Sequence, residues 1–175
     1  MTDAEEHSRL RQLRRDFGDW LGGPAFRWSH FATFTFSKTP GRRAVVLADE
    51  FLHELAVWLG RDNFTGFLSM EIGPSGGRHH VHALLEFCGV ASGTIQRRWQ
   101  ERFGFARVSA YNPKLGGLHY VTKYVIKDAC GTADWRIVST PDEGADGALF
   151  RPAVRVTGYQ LFTRYTTLMR RKRAD

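Results

Sequence analysis

Cysteine is scarce in this chain, acid is in deficit, and no long apolar run is present. Its 175 residues hold two cysteines, Cys88 and Cys130. Neither belongs to a CxxC or Cys/His ligand spacing, which disfavours both a disulfide framework and a four-ligand structural zinc site. Two isolated thiols suit a reducing compartment. No apolar stretch approaches the ~18–20 residues that span a bilayer, and residues 1–20 are charged rather than signal-like. These absences predict a cytoplasmic protein without a membrane partner. Asp and Glu total 18 against 25 Lys and Arg, a formal net charge of +7. That balance favours a polyanionic partner, although a basic surface can also be inert. There is no internal repeat and no low-complexity segment. Core material is plentiful: 42% of residues are hydrophobic and 13% aromatic. Wholesale disorder is thereby excluded, and one domain over residues 1–175 is expected.

Leu10, Leu13, Phe17, Trp20 and Leu21 recur at helical spacing and predict an amphipathic helix over residues 4–21, ended by Gly22-Gly23-Pro24. Phe31-Ala-Thr-Phe-Thr-Phe36 alternates with period two, so Ala32, Phe34 and Phe36 face one way and Thr33 and Thr35 the other. Val46, Phe51, Leu55 and Trp58 predict a helix over residues 43–59. A strand over 64–72, a Gly-rich turn over 73–77 and a strand over 78–87 follow. In the latter strand Val81, Ala83, Leu85 and Phe87 share one face, and His80, His82, Leu84 and Glu86 the other. A helix over 94–103, a strand over 105–110 and a helix over 117–128 complete the pattern. The order β-α-β-β-α-β predicts an α+β fold, a ferredoxin-like or RRM-like antiparallel sheet. Its helices should lie on one face, with the tyrosine-bearing helix near the other. The core spans about residues 28–128, and 129–175 form an extension containing a loop over 141–147 and the basic run Arg170–Arg173.

His80 and His82 project from the same strand face, a spacing that suits two cis ligands on one divalent ion. Glu71, across the Gly73–Gly77 turn, is the expected third ligand, and Glu86 is a competing acid farther along the strand. Two nitrogens and a carboxylate leave positions open for a phosphate oxygen. An HxH pair by itself describes a polar surface equally well. On the helix over 117–128, Tyr120 and Tyr124 lie one turn apart, and Lys123 and Lys127 repeat that spacing. Phenol, with an ordinary pKa of about 10, is a poor nucleophile at neutral pH; a neighbouring cation and a metal-polarised phosphate compensate. In isolation the same pattern also fits a packing helix with half-buried tyrosines.

Together, Arg78-His-His-Val-His82 and, about forty residues later, Tyr120-Val-Thr-Lys-Tyr-Val-Ile-Lys127 resemble the motifs of the HUH endonucleases. The likeness is to the two-tyrosine branch of rolling-circle replication initiators, typified by the A protein of small single-stranded DNA phages. Phe31–Phe36 resembles the early strand motif of that superfamily, and the likeness covers roughly residues 28–128. It implies a metal-dependent endonuclease and strand transferase for single-stranded DNA, forming a 5′-phosphotyrosine intermediate and starting rolling-circle replication of a plasmid or virus. Carried over residue by residue, His80, His82 and Glu71 would hold Mn²⁺ or Mg²⁺. Tyr120 and Tyr124 would be nucleophiles, with Lys123 and Lys127 contacting phosphate or positioning the phenols. Part of the branch has a glutamate at the first tyrosine position, which makes Tyr124 the preferred nucleophile if one acts alone.

The substrate implied is single-stranded or hairpin origin DNA. No GxxxxGK[ST] phosphate loop is present, so unwinding would fall to a host helicase. Arg97, Arg98, Arg102 and Arg107 are candidates for backbone contacts and Trp99 for base stacking, although Trp99 also fits a core. A transposase or relaxase of the same chemistry is an alternative; relaxases usually place the tyrosine before a three-histidine cluster. A non-catalytic ferredoxin-like nucleic-acid-binding module is the alternative outside enzymes. A monomer is compatible with either.

Overall fold

Alternating strands and apolar helical stripes must share cores, and here they do so on both sides of one sheet. The computed structural model describes residues 3–40, 43–61, 64–73, 77–118 and 135–139. Among these are helices α1 (Asp3–Leu21), α2 (Ala44–Trp58) and α3 (Ser92–Gln100). The strands are β1 (His30–Thr35), β2 (Thr65–Ile72), β3 (His79–Glu86), β4 (Ala106–Ala110) and β5 (Trp135–Ser139). They form one antiparallel sheet in the order β4-β1-β3-β2-β5. Its first four strands have the split β-α-β-β-α-β order, as the sequence pattern requires. The fold is α+β and compatible with a ferredoxin-like arrangement.

One face packs against α2 and α3. Ala44, Val45, Ala48, Phe51, Leu52, Leu55 and Ala56 are the buried stripe of α2, and Ile95 and Trp99 that of α3. They meet Ala32, Phe34 and Phe36 of the first segment and Val81, Ala83, Leu85 and Phe87 of the third. The parity expected from alternation is therefore the one observed. Each large side chain removed from water here contributes on the order of 2 kcal/mol.

The opposite face carries a second, smaller cluster. Phe17, Trp20 and Leu21 of α1 bury themselves with Phe67 and Leu84, flanked by Phe31, Trp135 and Ile137. Trp28 Nε1 donates to the Leu21 carbonyl at 2.7 Å, satisfying one of the open acceptors at the end of α1. The side chains of Leu10 and Leu13 lie outside the described set.

Beyond shifts of a residue or so at element ends, two features differ from expectation. The last helix before β4 runs from Ser92 to Gln100 rather than 94–103. Residues 101–103 turn back tightly, with Arg102 and Phe103 N–H both bonding the Trp99 carbonyl. Gly104 then takes φ +142°, where a Cβ would stand 2.6 Å from Ser37 N and 2.7 Å from Thr35 O. The second difference is β5, a strand inside the region without a readable pattern, which pairs with β2 from Thr65 to Ser69. Arg136 anchors it to Asp49 of α2, whose other carboxylate oxygen lies 3.3 Å from His53 Nε2. Gly117 and Leu118 have helical backbone, and Leu118 packs on the α1 cluster. Tyr120, Lys123, Tyr124 and Lys127 lie outside the described residues.

Candidate metal and nucleic-acid face

Antiparallel register lays the second face out in rows across the strands. Ser109, Phe31, Leu84, Phe67 and Ile137 form one row, its centre covered by α1. The next is Arg107, Thr33, His82, Ser69 and Trp135, and the one beyond is Thr35, His80 and Glu71. Polarity thus begins where the helix cover ends. The turn that joins β2 to β3 sets the register: Gly73 N–H bonds the Arg78 carbonyl at 3.1 Å, and Glu71 stands opposite His80. A slip of one residue would drive both histidines into the apolar core.

Each imidazole is gripped from β1. Thr33 Oγ1 lies 3.2 Å from His82 Nδ1, and Thr35 Oγ1 lies 2.9 Å from His80 Nδ1. The two rings are nearly parallel, at 19°, with centroids 6.4 Å apart. On the far side of His82, Nε2 lies 3.1 Å from Glu71 Oε2. An ionised carboxylate only accepts, so Nε2 carries the hydrogen in this arrangement and Nδ1 accepts from the Thr33 hydroxyl. A hydroxyl can also accept, so Thr33 can hold either tautomer of the ring.

His82 is 2% exposed, whereas the Glu71 side chain is 26% exposed. Burial pushes the His82 pKa below the usual imidazole value; the Glu71 hydrogen bond and charge oppose that shift, and nearby His80 adds to it. A neutral imidazole is the ligand-competent form.

Among the described residues, no three His, Cys, Asp or Glu side chains stand close enough to hold a metal ion as they are. The donor set nonetheless fits one. Two ligands bound at about 2.1 Å and at right angles are about 3 Å apart, close to the Glu71–His82 contact. Glu71 and His82, joined by a shifted His80, would be the residues to hold a divalent ion. Ser69 Oγ, beside His82 in the same row, is buried and has no hydrogen-bond partner among the described residues. Such an orphan suits a bound water or a reoriented carboxylate.

Glu71, His80 and His82 are therefore brought together, and Glu86 is not: it sits at the other end of β3, opposite Thr65. Of the expected DNA contacts only Arg107 shares this face. Trp99 is a correction, since it is fully buried and stacks on Phe34 with centroids 4.4 Å apart. Its Nε1 donates to the Thr35 carbonyl, leaving no ring face for a base. Arg97, Arg98 and Arg102 belong to α3 and the turn after it, on the helix-covered side. Arg98 lies over the Trp58 ring, and Arg102 pairs with Glu54. They do not belong to the rows that carry the histidines.

Sequence reasoning passed over Thr33 and Thr35 as ring holders, although the alternation of Phe31–Phe36 had placed both on one face. Which strand they would pair with was the missing fact. Ser69 gave no signal. No helix among the described residues is long and apolar enough to cross a membrane. Compared with protein-family models, with curated proteins and with solved structures, the chain gives no significant match.

Proposed function

We propose that this chain is a metal-dependent, site-specific endonuclease and strand transferase for single-stranded DNA, of the HUH kind, that starts rolling-circle replication of a plasmid or virus. One observation carries the proposal. Two near-parallel histidines, each held at Nδ1 by a β1 threonine, share a sheet face with a carboxylate at ligand distance from one of them. An ordinary histidine surface has no need of that scaffold.

Bound there, Mn²⁺ or Mg²⁺ would supply Lewis acidity toward an oxygen of the scissile phosphate. Thr33 and Thr35 fix the imidazole planes, and Glu71 balances positive charge. The phenol of Tyr124 or Tyr120 attacks phosphorus and loses its proton. The 3′-oxygen leaves, takes up a proton and becomes a 3′-hydroxyl, while the 5′-phosphate remains on tyrosine. Attack by a 3′-hydroxyl reverses the step and reseals a strand. Lys123 and Lys127 are the cations proposed to favour phenolate. Host helicase, or DNA already extruded as a hairpin, supplies the single strand. A transposase or relaxase would share these steps and differ in substrate.

Short labelled single-stranded oligonucleotides, incubated with Mn²⁺ or Mg²⁺, should yield a covalent protein–DNA adduct on a denaturing gel. The adduct should vanish in a Tyr120→Phe/Tyr124→Phe double variant and with chelator. A second reading, a non-catalytic nucleic-acid-binding module, is favoured by the hydrogen bond that already satisfies His82 Nε2. It predicts DNA binding with no adduct and no metal dependence.

A further inference from the structure

Beside the histidine row, on the β1–β4 side, lies a groove of about 340 Å³. Phe31 and Thr33 line it from β1, Arg107 from β4, and Tyr111 and Asn112 from the segment after β4. Thr33 is shared: the same residue holds His82 Nδ1. The groove and the candidate metal face are therefore continuous.

Its walls are built to stay in place. Tyr111 prolongs the β1–β4 pairing through its N–H to the Ser29 carbonyl at 2.8 Å. Asn112 Oδ1 accepts from Lys114 N–H at 3.0 Å, opening a short 3-10 turn over Pro113–Leu115. That bond commits the amide oxygen and leaves the amide hydrogens as donors. Gly116, at φ +70°, then turns the chain back. Gly117 lies against both rings. A Cβ there would lie 3.4 Å from both Phe31 Cδ2 and Tyr111 Cε2. Arg107 is exposed and forms no ion pair among the described residues, unlike Arg98, Arg102 and Arg136.

Tyr111, half-buried with one side packed toward the α1 cluster as Phe31 is, an exposed amide and a guanidinium without an ion pair among the described residues make a combination suited to one nucleotide. Rings take the π-face of a base, the amide its edge, and the guanidinium the phosphate. Pockets for small organic ligands begin at about 300 Å³, so the space fits a single base. We infer that this groove seats one unpaired nucleobase of single-stranded DNA, with its phosphate directed by Arg107 toward the histidine row. The occupant's identity as DNA rests on the proposed nuclease function; the groove's preference for an unpaired base does not require cleavage. It would hold the strand so that a neighbouring phosphodiester lies over His82 and Glu71.

The test is photo-crosslinking of the full chain, in chelator, to an oligothymidine of about 12 nucleotides carrying 5-iododeoxyuridine, a length within the roughly 4–16 nucleotides that a single-strand-binding OB-fold covers. Adducts mapped by mass spectrometry should fall on Tyr111 or Phe31. Tyr111→Ala should weaken binding about tenfold, within the range of one base–aromatic stack, and Tyr111→Phe should restore it. Asn112→Ala, at an exposed position, should alter preference among homopolymers without unfolding the chain. Crosslinks only outside the groove, or unchanged affinity in Tyr111→Ala with native circular dichroism, would overturn the inference. Because these readouts need no metal, a missing gel adduct with groove crosslinks rejects the nuclease alone. An adduct without groove crosslinks rejects the groove alone.

Discussion

His82 and His30 show how one residue type acquires opposite duties from its surroundings. His82 faces the polar rows, and its burial favours the neutral ring that a metal would need. Thr33 Oγ1 bonds that ring at Nδ1, so if His82 holds a metal as proposed, Thr33→Val should leave the fold intact while weakening Mn²⁺ affinity about 10- to 100-fold, the usual effect of losing an outer partner of a ligand. A manganese titration by calorimetry decides this, and unchanged affinity would remove Thr33 from the site. His30, on the helix-covered face, is 5% exposed; its Nε2 donates to the Val90 carbonyl at 2.9 Å. Burial lowers its pKa, and the Val90 hydrogen bond only partly opposes this. Below about pH 6.5 the unfolded chain therefore takes up a proton that the folded chain resists. Stability should fall as pH drops through that value. Urea midpoints at pH 7.5 and 5.5 measure the effect, and His30→Asn should flatten part of the difference.

At the level of elements, α3 and the turn behind it are fastened by a single large side chain. Trp99 contacts Phe34, Phe36, Phe51 and Phe103 and bonds the Thr35 carbonyl. Trp99→Ala should cost about 3–5 kcal/mol in chemical denaturation. DNA binding per folded molecule should stay unchanged, because the residue has no exposed face; lost affinity at full folding would contradict its placement. Helix α2 was legible from Val46, Phe51, Leu55 and Trp58, although of these only Phe51 and Leu55 belong to its buried stripe and Trp58 is exposed. β5 was not legible, since five residues carry little periodic signal and its partner β2 is more than sixty residues away.

Across the whole molecule, basic residues are divided between the two faces of the sheet. Arg97, Arg98 and Arg102 sit with the helices, and Arg107 stands on the sheet face beside the groove. Arg107→Ala should lower the salt dependence of single-strand binding by about 0.7 in log–log slope, the effect of one lost phosphate contact. Arg102→Ala should leave that slope unchanged, because its guanidinium is paired with Glu54. Fluorescence anisotropy over a salt series separates them, and equal effects would mean that DNA wraps both faces. The α1 helix belongs to this scale too. Its apolar stripe packs on the row of Phe67 and Leu84 and stops short of the polar rows that carry His82 and His80.

The sequence by itself determined the strand parity, the βαββαβ order, the shared face of His80 and His82, and Glu71 as their acid. These follow from local periodicity and from a short turn, and neither needs distant partners. The opening reading of a chain short of acid also stands, since +7 is a property of composition. Only the tertiary structure decided which arginine stands beside the histidines, that Trp99 is core, and that Thr33 and Thr35 hold the imidazoles. It also decided that α1 covers the second face and that β5 closes the sheet edge. Each of those depends on which strands become neighbours and in what register. That is set by burying two separate apolar clusters at once, and no local pattern encodes it.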